Sequence, residues 1–139
     1  MPDNLNPNLI TGIEDIDTQH SDLFYAIKDF DFNKKTEEAL WAILIEIEIY
    51  TQVHFETEEK YMEKFNYPLI EEHIIEHRLF TKNFTELKKN FDNEGFSKIF
   101  VEDFQKFLMD WLLKHYTEID VKMADFIKTR LNYIAQQDT

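Results

Sequence analysis

The chain has no cysteine, only 2 glycines and 3 prolines in 139 residues, and 15 Lys and Arg against 28 Asp and Glu. Each shortage excludes something. Without cysteine there is neither a disulfide nor a thiolate metal site, so any metal must be held by nitrogen and oxygen. Few glycines and prolines mean few tight turns, and therefore few, long elements. The deficit of basic residues leaves a net charge of −13, which repels nucleic acid and anionic membrane surfaces as partners. No apolar run approaches the roughly 20 residues that a membrane-spanning helix needs. Met1 to Ile10 lacks the basic cluster and apolar run of a secretory leader. The expectation is a soluble cytoplasmic protein folded as a single domain over residues 1–139.

What the chain does have is ring-rich bulk, with 13 Phe, 6 Tyr and 2 Trp, spaced in threes and fours. That rhythm predicts an all-α protein, an antiparallel up-down-up-down four-helix bundle with an N-terminal arm and a short C-terminal helix. The arm covers residues 1–12. A first helix starts at Ile13 or Asp15 and reaches Phe30; Asp31 to Lys35 connects it to a second, capped by Thr36 and running from Glu37 to Phe65. Asn66-Tyr67-Pro68 stops that helix. A third runs from Leu69 to Phe91, with Gly95 as its terminus, and a fourth starts at a Ser97 cap. The closing helix spans Thr117 to about Ala135.

Each helical seam carries a histidine where a Leu or Phe would pack: His20, then His54, then His73 and His77, then His115. A neutral imidazole in an aromatic core must still satisfy two ring nitrogens, so five of them on four seams demand partners. Taken singly, each reads as a core or surface residue; together, at matching heights, they read as a site. Glu58, four residues after His54, shares its face. Glu56 and Glu59 read as pointing elsewhere, into solvent. Asp120 follows His115 by five residues, about 140° off on a continuous α-helix, so it faces the same point only if the helix breaks between them. Thr117 supplies that break as an N-cap. Five imidazoles and two carboxylates exceed what one ion takes, and two ions sharing the carboxylates fit better. Ligand type alone allows iron, manganese, zinc or copper.

These residues, with Ile16-Asp17-Thr18-Gln19-His20, His54-Phe55-Glu56-Thr57-Glu58, Tyr67-Pro68, His73-Ile74-Ile75-Glu76-His77 and His115-Tyr116-Thr117-Glu118-Ile119-Asp120, resemble the ligand set of the hemerythrins, specifically the bacterial ones, over nearly the whole chain. The resemblance implies two iron ions, bridged by Glu58, Asp120 and an oxo or hydroxo group. His73, His77 and His115 would hold one iron, and His20 and His54 the other, which keeps a place for dioxygen. Leu23, Phe55, Trp111, Leu112 and Tyr116 would line an apolar dioxygen pocket. The implied function is reversible dioxygen binding for storage, delivery or sensing. The sequence names no protein that would receive or supply the oxygen. The alternative class is an enzyme, a di-iron peroxidase or nitric oxide-handling protein. A ferritin-like site is disfavoured, because none of the five histidines has a glutamate three residues before it. Two positions depart from the family pattern. Leu5 stands where bacterial relatives usually carry tryptophan, and Tyr116 where an aliphatic residue is usual. The Tyr116 phenol could donate a hydrogen bond to a ligand, fill the pocket, speed autoxidation, or simply pack at a helix end with its hydroxyl wet.

Overall fold

The computed structural model describes residues 10–30 and 36–137. Most of the N-terminal arm, with Leu5, and the Asp31–Lys35 connection therefore lie outside the described residues. The first helix, α1, spans Glu14–Asp29 and buries Ile16, His20, Leu23 and Ile27. Helix α2 spans Glu37–Lys64, its first turn capped by the Thr36 hydroxyl, which accepts from the Ala39 amide at 3.2 Å. Its end is a Schellman motif. Asn66 takes a positive φ of 55°, the Tyr67 amide reaches back to the Met62 carbonyl at 2.9 Å, and the Asn66 amide to that of Glu63 at 3.3 Å. Tyr67 and Met62 then share an apolar cluster, the contact that usually accompanies this motif.

Helix α3, Ile70–Glu94, runs three residues beyond the expected Phe91 and stops at Gly95, with φ 80° and ψ −179°. Helix α4, Lys98–Lys114, begins at Ser97, whose side chain accepts from the Phe100 amide. The expected break at Thr117 is absent. Residues His115–Asp120 form a turn of π-helix that passes directly into α5, Val121–Gln137. Thr117 caps nothing; its hydroxyl donates to the Leu113 carbonyl at 2.7 Å.

Helix α1 packs on α2 and α4, and α3 packs on the same two, which closes a square of four neighbours. Two apolar clusters fill it. The larger includes Ile27, Leu44, Phe80, Phe84, Phe104 and Leu108; the smaller joins Ile16, Met62, Phe65, Met123 and Ile127. On α1, α2 and α3 the site histidines and Glu58 fall around the point where the helix passes from one cluster to the other. The fold is therefore apolar, polar, apolar along its length. Each large ring buried in the outer layers contributes about 1.5–3 kcal/mol, and that stabilisation offsets the cost of the polar layer.

Candidate metal centre

Local geometry sets the layer up. His54 and Glu58, and His73 and His77, are one turn apart and face the same way. In an α-helix, five residues would leave Asp120 turned away from His115, but the π turn winds more slowly, through i to i+5 hydrogen bonds, and restores their common face. His115 Nε2 lies 2.9 Å from Asp120 Oδ1. The start of α1 is pinned one turn before His20. The buried Asp17 carboxylate accepts from the Thr11 amide and hydroxyl, both at 2.7 Å, and from the Gly12 amide at 3.0 Å.

All seven residues singled out for metal binding meet in this layer, each at most 3% exposed. Asp120 faces two ways: Oδ2 lies 2.8 Å from His20 Nε2 and 3.9 Å from His54 Nε2, while Oδ1 lies 3.0 Å from His73 Nε2. Glu58 Oε1 lies 3.4 Å from His54 Nε2, 3.0 Å from His77 Nε2, 3.7 Å from His73 Nε2 and 3.6 Å from His115 Nε2. The donor atoms sort into two groups, each within 4.8 Å. One is Glu58, His73, His77, His115 and Asp120; the other is His20, His54, Glu58 and Asp120. The two carboxylates belong to both.

The outer nitrogens decide what the inner ones can be. His54 Nδ1 donates to Gln19 Oε1 at 2.7 Å, and Gln19 Nε2 donates to Thr57 Oγ1 at 3.0 Å. His77 Nδ1 donates to Glu59 Oε2 at 2.9 Å. Glu59 is thus half-buried and partnered, not the wholly solvated residue that the sequence led us to expect, whereas Glu56 is exposed. A groove of about 480 Å³ between α2 and α3 reaches Glu59 and His77 from outside. With Nδ1 protonated, each neutral ring turns an Nε2 lone pair toward carboxylate oxygens.

Such contacts repel unless something positive lies between. Burial first, helped by the neighbouring His115 and His73, drives His77 down to about 2, so it does not carry a second proton near neutrality. Burial likewise lowers His54 from 6.5 to about 4, against the opposing pull of Asp120. Burial and the Asp120 charge raise Glu58 well above the usual carboxylate range. Burial alone would raise Asp120 too, but the neighbouring His115, with Glu58 and His20 close by, outweighs it and holds Asp120 well below that range. The pair shares one negative charge. A proton on Glu58 satisfies one imidazole, yet Nε2 of His54, His73 and His115 and one oxygen each of Glu58 and Asp120 remain buried without hydrogen-bond partners. Lone pairs converging from nitrogen and oxygen donors, buried and unpaired, fit metal cations, one per group.

Rings clamp three of the imidazoles. Phe55 stacks on His77 with centroids 3.9 Å apart, Trp111 on His115 at 4.4 Å, and Tyr116 on His20 at 3.5 Å. Of the five residues expected to line a ligand pocket, Leu23, Phe55, Leu112 and Tyr116 are buried in one cluster; Trp111 is half-buried and packs on the larger donor group. Tyr116 is 0% exposed, so its hydroxyl is not wet. Burial first, then Asp120 and Glu58, push that phenol well above 10 and keep it protonated. Gln19 and Glu59 are the site residues that sequence reasoning did not single out. The available signal was their position directly beside His20 and Glu58.

The profile of the Hemerythrin HHE cation binding domain matches residues 11–127 of this chain. A bacteriohemerythrin of Stenotrophomonas maltophilia is 29% identical over 133 residues, covering 94% of this chain and 84% of the relative. One of Clostridium acetobutylicum is 25% identical over 123 residues, covering 82% and 92% respectively.

Proposed function

The chain belongs to the bacterial hemerythrin family, and from that premise we propose that its polar layer holds two iron ions and binds dioxygen reversibly. The observation that carries the proposal is the pair of donor groups of unequal size, five residues and four, joined by Glu58 and Asp120. His73, His77 and His115 would hold one ion and His20 and His54 the other, and Glu58 and Asp120, which belong to both groups, would serve the two. Ferrous iron, when bound, supplies the electrons and the coordination position that dioxygen requires.

The chain's own residues do the rest. Glu58 and Asp120 cancel part of the charge of two cations in a layer that is otherwise imidazole. Gln19 and Glu59, by accepting from Nδ1 of His54 and His77, hold those rings with Nε2 inward and make them better donors. Leu23 and Leu112, and Phe55 stacked on His77, each at most 3% exposed, keep water and protons from the two-ion layer. Binding stays reversible only while they do. Among the described residues no helix is long and apolar enough to cross a membrane.

Metal analysis together with an optical spectrum through cycles of oxygenation and deoxygenation tests the proposal. Two irons per chain and a spectrum that returns over repeated cycles support it. A single zinc ion per chain refutes it. Two irons whose spectrum decays without return, with turnover of peroxide, would favour the enzymatic alternative instead.

A further inference from the structure

Tyr116 is completely buried, and its hydroxyl has no hydrogen-bond partner. Its ring lies flat on His20, with centroids 3.5 Å apart, and edge-on to His54 at 6.0 Å, so the phenol covers both imidazoles of the smaller donor group. Phe55 and Trp111, in contrast, stack on His77 and His115 in the larger one. Packing does not account for the oxygen. A phenylalanine or a branched aliphatic residue would fill the same layer among Leu23, Ile27 and Leu112 without stranding a donor. Glu58 Oε2 and Asp120 Oδ1 are themselves unpartnered, and the hydroxyl bonds to neither. A buried hydroxyl that meets no protein acceptor, against the two histidines of the smaller group, is placed for a ligand. Thr51, the other such hydroxyl among the described residues, sits instead with Phe80 and Phe84.

We propose that the Tyr116 hydroxyl is the protein's hydrogen-bond donor to a small ligand with an acceptor atom, dioxygen or an anion, bound on the His20–His54 side. This rests on reading the polar layer as a two-ion, ligand-binding centre. The donor makes the pocket selective. Ligands that gather negative charge when bound gain from the phenol, and an apolar ligand of the same size does not.

Azide serves as the probe, on iron-loaded full-length protein. In Tyr116→Phe, which keeps the ring and loses the oxygen, azide affinity should fall by roughly tenfold, the worth of one hydrogen bond to a charged acceptor. The antisymmetric stretch of bound azide should shift between wild type and Tyr116→Phe. Exchange into heavy water should move that band in the wild type alone. Thr51→Val, which removes a buried hydroxyl outside the pocket, should leave affinity and band unchanged. Equal azide affinity in wild type and Tyr116→Phe overturns the inference, as does an equal loss in Tyr116→Phe and Thr51→Val. Either result, in a wild type that holds two irons and binds azide, leaves the two-ion reading standing. A wild type that takes up no iron pair, or binds no azide, overturns that reading and this inference together.

Discussion

Gln19→Ala removes the oxygen to which His54 Nδ1 donates at 2.7 Å and leaves all seven inward-facing residues in place. Two routes give the size of the effect. His54 is 1% exposed, and a buried N–H without a partner costs about 1–3 kcal/mol. Deleting the partner behind a metal-bound imidazole typically costs about 10- to 100-fold in affinity, or about 1.4–2.8 kcal/mol at 1.4 kcal/mol per decade. The ranges overlap. Gln19 is only half-buried, so water can take up part of its role, and the lower end, about tenfold, is expected. The loss should also be lopsided, because His54 belongs to the smaller donor group. Iron-loaded wild type and variant would be challenged with excess chelator and release followed optically. The first ion should leave the variant about tenfold faster, while the second departs at close to its wild-type rate. If both ions leave faster by one common factor, or neither rate changes, the assignment of Gln19 to the His54 side is refuted.

Glu58→Gln should abolish binding of the ion pair, yet the chelated variant should melt no lower than chelated wild type. Burial and Asp120 already oppose ionisation of Glu58, so an amide relieves that conflict; a variant that melts several degrees lower contradicts this. Chelated wild type should weaken in mild acid. Unfolded His54 takes up a proton below 6.5 whereas the folded form resists until about 4, so its contribution is complete above 6.5 and is lost as pH falls. Between about pH 7.5 and pH 5 that group alone accounts for about 2 kcal/mol at 1.36 kcal/mol per unit, and urea midpoints that coincide at the two pH values rule it out. Gly95→Ala should cost about 1–3 kcal/mol through backbone strain alone. Its φ is 80° and an added Cβ meets nothing within 4 Å, so loss of metal affinity in that variant would argue against the assignment.

The parts of the site legible in the sequence are those that depend on one helix at a time. His54 with Glu58, and His73 with His77, announce themselves because four residues make one turn wherever an α-helix forms. Thr36 and Ser97 were readable as caps for the same reason, since the bond each makes spans three residues. Asp120 does reach the layer, but through a π turn and not through the expected break at Thr117. No residue type marks a π turn, and the trace it left was a single five-residue skip in a stripe otherwise stepping by three and four. Glu59 was misjudged because its partner, His77, sits on another helix, and only the rotation of α3 against α2 brings the two to 2.9 Å. Trp111 and Leu112 are adjacent in sequence, and that Trp111 is the one that stacks on His115 is likewise set by packing between helices.

The π turn has a further consequence. The stripe Val101, Phe104, Leu108, Leu112 and the stripe Met123, Ala124, Ile127 cover opposite ends of the bundle, and the widened turn between them acts as a vernier that brings the two scales into line. Shortening it by a single residue would swing everything beyond by about 100°, rolling Ile127 out toward water even if both ligands were retained. The spacing that presents His115 and Asp120 to a common point is therefore also what keeps the far end of the molecule closed, so this short stretch answers to two masters and its length is not free to drift.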